Sequence, residues 1–228
     1  MKSLDLYAKI EHLIGFYEEY EELYEKYLYI LNSLHVRSCL DIGCGNGKFL
    51  KLLQSEDYKA FGIDRSKKML KKAKKLGVKV EKLELEELEK ESFEAACAVG
   101  DVLNYMDDKE LREFFYDLHK VLKKDGYFLA DINTLYGFEE VTSGVFIKET
   151  PKKFLCIEAD FKNNVLTTDI TLFKKKKKKY KKYHSKILQY YHSTLFFKNI
   201  SGFVLTDIVD ISMFGEETDK NLLVFKKV

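Results

Sequence analysis

Hydrophobic and polar positions change their period several times along the chain, and each change marks an element. Over Asp5–Ser33, Leu13, Phe16, Tyr17, Tyr20, Leu23, Tyr24, Tyr27, Leu28 and Leu31 recur at intervals of three and four, with glutamates between them. That period predicts amphipathic helix. A short apolar run, Cys39, Leu40 and Ile42 around Asp41, then breaks into glycine at every second position: Gly43, Gly45 and Gly47. Phe49, Leu50, Leu52 and Leu53 resume helical spacing, so the stretch reads strand, tight turn, helix. Ala60–Asp64 reads as a second buried strand ending in an acid. Arg65–Leu76 reads as a helix with Met69, Leu70, Ala73 and Leu76 in one stripe. Val78–Leu83 and Phe93–Val99 are the third and fourth strands. Asp107–Leu122 is a helix with Leu111, Phe114, Phe115, Leu118, Val121 and Leu122 inward. Lys123–Gly126 stops it, and Tyr127–Ile132 is the fifth strand.

The period then drops to two. Thr150–Asp160, Val165–Phe173 and Tyr180–Tyr191 alternate side chains and predict an antiparallel meander inserted after the fifth strand. His192–Gly202 is a short helix with a glycine stop. Phe203–Ile211 and Leu222–Lys226 close the chain as an antiparallel pair. Strand–helix alternation with a reversed last strand places the chain in the α/β class.

Composition narrows the function classes. At 228 residues the chain accommodates one domain, or one domain with an insertion. Hydrophobic content of 46% supports a sizeable core. Lys and Arg total 39 against 37 Asp and Glu, so no strong field of one sign points to nucleic acid or membrane as the main partner. No apolar run approaches the length of a spanning helix. Met1-Lys2-Ser3-Leu4-Asp5 has no secretory apolar region, and the expectation is a soluble cytoplasmic protein. Cys39, Cys44, Cys97 and Cys156 form no C-x-x-C pair. They read as free, buried thiols, and no metal site is expected. The run Lys174–Lys179 has two readings, a phosphate-binding patch or a solvated hairpin tip. Thin aromatic interleaving (Tyr180, Tyr183) favours the second. The lysines of Arg65–Leu76 likewise read as a solvated helix face.

The candidate chemistry lies at the strand ends. A glycine turn running into a helix start leaves N–H groups free for an anion. Gly43 and Gly45 fit the first two positions of G-x-G-x-x-G, but Lys48 stands at the third. The P-loop pattern fails because Phe49 follows Lys48. What remains is D-I-G-C-G-N-G, for which a glycine-rich turn with no ligand is the plainer alternative. Asp64 lies about twenty residues beyond the first glycine, the spacing at which a strand-end acid meets a ribose in nucleotide-binding α/β folds. Its carboxylate suits both hydroxyls of a cis-diol. Gly100-Asp101-Val102-Leu103-Asn104-Tyr105 closes the fourth strand, where parallel sheets deliver ligand groups.

D-I-G-C-G-N-G, G-I-D and G-D-V-L-N-Y together resemble the motifs of class I S-adenosylmethionine-dependent methyltransferases. The resemblance covers roughly residues 36–135 and 200–228, and it is closest to small stand-alone enzymes with an inserted antiparallel sheet. It implies a doubly wound, mostly parallel sheet of seven strands with the last strand antiparallel, plus a small antiparallel β insertion. It also implies a single domain over 1–228, with residues 1–35 as a helical lid and 145–191 roofing the active site. The implied reaction is direct displacement by an N or O of a small-molecule acceptor, with S-adenosylhomocysteine as product. By that resemblance Gly43, Cys44 and Gly45 pass beneath the cofactor's methionyl part and ribose, Asp41 fixes the turn and reaches the cofactor ammonium, and Asp64 binds the ribose diol. Arg65 and Met69 flank the adenine, Glu84 and Leu85 hold its edge and face, and Gly100 and Asp101 border the amino-acid end. Tyr7 or Tyr17 reaches over the cofactor from the lid, with packing on the sheet as the alternative. Asp101, Asn104 and Tyr105 face the methyl and the acceptor, with helix capping and core filling as the alternative for the last two. His184 is the candidate base on the last strand of the insertion, and Gln189 and His192 lie near the same place. Two other functions stay open: an RNA methyltransferase using Lys174–Lys179, and a cofactor-binding protein without turnover. The acceptor and the choice of monomer or homodimer also stay open.

Overall fold

The computed structural model describes residues 2–15 and 17–228, apart from the side chains of residues 2–4, 17 and 18. Two helices come first, α1 (Lys2–Ile14) and α2 (Tyr17–Ser33). The continuous helical pattern of Asp5–Ser33 is therefore divided. Gly15 takes φ 94°, a left-handed conformation that ends a helix and costs glycine little.

The main layer then alternates: β1 (Ser38–Ile42), α3 (Lys48–Ser55), β2 (Lys59–Ile63), α4 (Lys67–Lys75), β3 (Val80–Glu81), β4 (Phe93–Ala98), α5 (Asp108–Val121) and β5 (Leu122–Asn133). A separate set follows, β6 (Gly144–Thr150), β7 (Lys153–Lys162), β8 (Val165–Lys176) and β9 (Lys179–Tyr190). The chain closes with α6 (Thr194–Phe197), β10 (Phe203–Ile211) and β11 (Lys220–Lys227). The seven-stranded sheet has the order β3-β2-β1-β4-β5-β11-β10. β1 pairs in parallel with β2 and β4, and β11 runs antiparallel to β5 and β10. Strand order reverses between β1 and β4, so a crevice opens there at the carboxyl ends of the strands.

Two apolar layers hold the helices to this sheet. On one face Leu23, Tyr27, Leu50, Leu53, Leu70 and Ala73, from α2, α3 and α4, pack against Cys39 and Cys97. On the other face Leu111, Phe115 and Leu118 of α5 and Phe197 of α6 pack against Leu40, Ala96, Phe128 and Phe225. Phe115 stands at the centre of that layer, with the rings of Phe128, Phe203 and Phe225 centred 5.6, 5.4 and 5.2 Å away. Edge-on contacts of this kind stabilise beyond simple burial. Asp107 caps α5 by accepting from the Lys109 and Glu110 N–H groups, and Glu110 reciprocates.

Three local details differ from the sequence reading. β3 is reduced to Val80–Glu81, which pairs with Gly62 and Ile63 before the chain leaves the sheet as a 3₁₀ turn at Leu85–Glu87. The turn expected at Lys123–Gly126 is a bulge inside β5, because Leu122 still pairs with Phe93 before Tyr127 pairs with Ala95. The inserted sheet has four strands in the order β6-β7-β8-β9, where three were expected. The extra strand begins with the contiguous apolar run Val145-Phe146-Ile147, which does not alternate and so hides its period.

Leu155, Ile170, Leu172 and Ile187 on one face of the inserted sheet pack against Leu6 and Ile10 of α1. The same helix is tied to α4. Ser66 Oγ donates to Asp5 Oδ1 at 2.9 Å, and Lys72 Nζ donates to the Ala8 carbonyl at 2.6 Å. α1 therefore bridges the inserted sheet and the rim of the main sheet.

Candidate functional site

The three-glycine turn joins β1 to α3. Gly43, Gly45 and Gly47 all have positive φ (71°, 53° and 81°). The Gly43 and Cys44 N–H groups donate to the Ile63 carbonyl at 2.8 and 3.0 Å. The Gly45 N–H donates to Asp64 Oδ2 at 2.9 Å, and the Ser66 N–H donates to Asp64 Oδ1 at 2.6 Å. The strand-end acid and the glycine turn are thus in direct contact. Burial raises the Asp64 carboxyl above its ordinary value, although both N–H donors pull it down. The third glycine serves packing. A Cβ at Gly47 would lie 2.8 Å from Ala73 Cβ and 2.9 Å from Val78 Cγ2. Cys44 turns its thiol down against Gly62, and burial pushes that thiol far up, so its backbone alone faces the crevice side of the turn.

Asp41 lies buried one residue before the end of β1, and its Oδ2 has no hydrogen-bond partner among the described residues. Burial first, and then the Asp64 carboxylate, raise its pKa to about 8. An orphaned buried carboxylate oxygen carries a large desolvation cost. It is the feature of this crevice that calls for a cationic or donor group.

At the end of β4, Gly100 and Asp101 have φ 83° and 63°, which turns both N–H groups onto one carboxylate. They donate to Asp131 Oδ1 and Oδ2 at 2.7 and 3.1 Å. Tyr27 Oη donates to the same Oδ1 at 2.8 Å. Lys220 Nζ donates to Asp131 Oδ2 at 3.2 Å, to Asn133 Oδ1 at 3.1 Å, and at short range to Asp101 Oδ1. Burial alone would raise the Asp131 carboxyl, but Lys220, the Gly100 N–H and Tyr27 outweigh it and hold it below the ordinary range. Asp101 is raised, burial outweighing Lys220. Lys220 itself is raised because the two carboxylates overcome its desolvation. Tyr20 closes this corner, its Cε1 lying 3.3 Å from where a Gly100 Cβ would sit. Burial, then Asp101, raise its phenol well above the ordinary value.

The remaining expected residues fall into two groups. Near the crevice, Arg65 and Glu84 form an exposed ion pair, Nη2 to Oε2 at 2.9 Å, with Nε donating to both carboxylate oxygens. Met69 is half-buried at the start of α4, and Leu85 is buried against Ile63 and Ile42. Tyr105 lies with Tyr7, Leu6 and Ile10 beneath the inserted sheet. Burial, then Tyr7 and Asp101, push its phenol far up. The side chain of Tyr17 lies outside the described residues. Two further side chains make their contacts elsewhere in the fold. Asn104 is fully buried, with Nδ2 donating to the Tyr190 carbonyl at 2.9 Å and Oδ1 accepting from the Asn133 N–H at 3.0 Å. It braces backbone and does not face an acceptor. His184 stands on the outer face of β9, half-exposed and 3.0 Å from Asp169 Oδ1. Alternation along β9 puts Gln189 on the inner, buried face instead. His192 is buried and committed to Asp108 Oδ1 at 3.1 Å and the Met106 carbonyl at 2.9 Å.

These features can be set beside known proteins. Residues 39–126 match the family model of a methyltransferase domain. That match and the fold together support a class I, Rossmann-like methyltransferase domain. Among curated proteins, the domain is 29% identical to a provisionally named methyltransferase of Geobacillus sp. WCH70 over 133 residues, 55% of this chain and 54% of that protein. The match spans about half the length of the curated relatives. Among solved structures, an S-adenosylmethionine-dependent methyltransferase from Clostridium acetobutylicum superposes with TM-score 0.79 at 19% identity, over 97% of this chain and 99% of that one. An amino pentose methyltransferase from Micromonospora echinaspora, solved with S-adenosylmethionine bound, gives TM-score 0.69 at 13% identity, over 98% and 97%. At such identities these two likenesses speak to the fold of the methyltransferase domain.

Proposed function

We propose that this chain binds S-adenosylmethionine in the crevice at the ends of β1, β2 and β4 and transfers its methyl group to an N or O of a small-molecule acceptor. The observation that carries the proposal is the contact between Asp64 and the glycine turn, with the unpartnered Asp41 oxygen behind it. The residues fit the cofactor. An acidic crevice suits a ligand bearing a sulfonium and an ammonium, and a carboxylate at the end of β2 suits a ribose diol. Asp41 would take the ammonium, Asp64 the diol, and the backbone of Gly43–Gly45 the methionyl part. Met69 and Leu85 would lie along the adenine, with the Arg65–Glu84 pair at its edge.

When bound, the cofactor supplies a methyl group activated for direct displacement, so the chain has little covalent chemistry to perform. Its residues align, dehydrate and hold charge. Tyr20 and Tyr105, both partly buried rings, exclude water from the Asp101 corner. Asp101, balanced by Lys220, presents a carboxylate there that can hold an acceptor's N–H or O–H. α1 acts as the lid, since it is the element that spans from the inserted sheet to Ser66. The amino pentose methyltransferase similarity supports a small polar acceptor.

The test is incubation with methyl-labelled S-adenosylmethionine and a fractionated extract. Label in the small-molecule fraction is expected. Label confined to RNA or protein would overturn the acceptor class, and binding without any transfer would leave a cofactor-binding protein without turnover.

A further inference from the structure

The end of the inserted sheet farthest from the crevice concentrates charge. Lys152, Lys153, Lys174–Lys179, Lys181 and Lys182 gather there, with no acidic residue among 151–153 or 174–183. The rest of the chain then holds 29 basic residues against 37 acidic ones, a balance of −8. The protein is a strong dipole although its net charge is only +2. Among the described residues, no ion pair engages Lys174–Lys179, Lys181 or Lys182.

Few contacts within the fold hold these lysines, with Lys181 and Lys182 over the Tyr183 and Phe173 rings at 5.2 and 5.9 Å. Lys153, Lys174 and Lys181 stand side by side across three strands, and Lys176 faces Lys179. Like charges directly opposite one another destabilise a sheet. Lys177 and Lys178 form a two-residue turn, and Lys177 takes φ 58°, where Asn or Gly is preferred. Lys153 Nζ approaches another basic group, His12 Nε2, at 2.7 Å. A partner of opposite charge would relieve the repulsion among these lysines.

We propose that this hairpin end docks on the phosphate backbone of duplex DNA, without regard to sequence. A ribbon two strands wide matches the roughly 12 Å major groove, and its lysines project from both faces, as the alternation along β8 and β9 requires. The tip has no Arg, Asn, Gln, Asp or Glu to pair with base edges. It also lacks the exposed aliphatic side chains that would anchor it in lipid, Tyr180 at 59% exposure being its one large exposed ring. The surface is separate from the crevice. β9 runs twelve residues from Lys179 to Tyr190, the residue that Asn104 holds, or about 35 Å at the usual rise. A phosphate at the tip is therefore not the methyl acceptor, and the inference stands independently of the proposed reaction.

The experiment is fluorescence anisotropy of a labelled random-sequence 25-base-pair duplex titrated with the full chain, between 50 and 200 mM salt. About five phosphate contacts give a log–log salt slope near −4.5, an affinity loss of about 500-fold over that range. Replacing Lys174–Lys179 with serine should weaken binding at least 20-fold at 50 mM and flatten the slope. The thermal melt should be unchanged or raised, which separates lost contacts from lost fold. Two duplexes of unrelated sequence should bind within threefold of each other. No duplex binding at 50 mM salt, equal binding by the serine variant, or tighter binding to single-stranded RNA or to vesicles with 30% anionic lipid would each overturn the proposal.

Discussion

Lys220 offers the sharpest test of how the crevice is built. Its ammonium is only 2% exposed and touches Asp101, Asp131 and Asn133. Lys220→Met keeps the stem and removes the charge. The fully buried Asp131 and the partly buried Asp101 then lose their shared counter-ion. Breaking one side of a buried ion pair costs about 3–5 kcal/mol, which at this chain length lowers Tm by about 10 °C. The pH dependence carries the diagnosis. In the wild type, the depressed Asp131 contributes stability that is present above the ordinary carboxylate range and lost as pH falls through its lower folded value. Lys220, raised by its partners, contributes stability that is present below the ordinary lysine range and lost as pH rises through its higher folded value. Without the lysine, Asp101 and Asp131 are both raised, so the variant's deficit should be largest at pH 8 and should shrink toward pH 5 as one carboxylate takes up a proton. Thermal melts of both proteins at pH 5 and 8 decide it. A Tm difference under 2 °C, or an equal difference at both pH values, would refute a charge role for Lys220.

Asp41, raised to about 8 by burial and by Asp64, contributes stability that is fully present below the ordinary carboxylate range and lost as pH rises through about 8. Melts should therefore fall between pH 6.5 and 9, and Asp41→Asn should flatten the curve. If the cofactor's ammonium docks on Asp41, binding at pH 7 should release about one proton in the wild type and none in Asp41→Asn, read by calorimetry in buffers of different ionisation enthalpy. Gly47→Ala places a methyl within 3 Å of Ala73 and Val78 at φ 81°. It should cost about 3 kcal/mol in chemical denaturation. His184→Ala should change turnover by less than twofold, since the ring faces out toward Asp169; a tenfold loss would return it to the site.

The β1–glycine turn–α3 unit and the acid ending β2 were legible in the sequence because each is a local pattern. Asp41, Gly43, Gly45 and Asp64 lie within 24 consecutive positions, and glycine spacing alone dictates the turn. The network around Asp131 was not legible. Tyr27 and Lys220 reach it across 104 and 89 residues, and a lysine opening the strand K-N-L-L-V-F-K-K reads as solvent-facing until its partners are known. In the sequence Asp131 is one position inside the fifth strand, Asn133 lies just past it, and Tyr27 is one more helical tyrosine. Asn104 was placed at the right end of the sheet with two tasks open, because a buried amide can brace two strands as readily as meet a ligand. His184 failed for a simpler reason. One step along β9 changes the face, and a histidine at an even position there looks outward.

The central claim is that the crevice at the ends of β1, β2 and β4 holds S-adenosylmethionine. Isothermal titration calorimetry of the wild type and Asp64→Ala tests it directly. The wild type should bind S-adenosylmethionine and S-adenosylhomocysteine with micromolar Kd. Asp64→Ala should lose at least 30-fold in affinity while melting as a cooperative fold, because the ribose diol loses its acceptor. No heat with the wild type, or equal affinity in Asp64→Ala, would contradict the account.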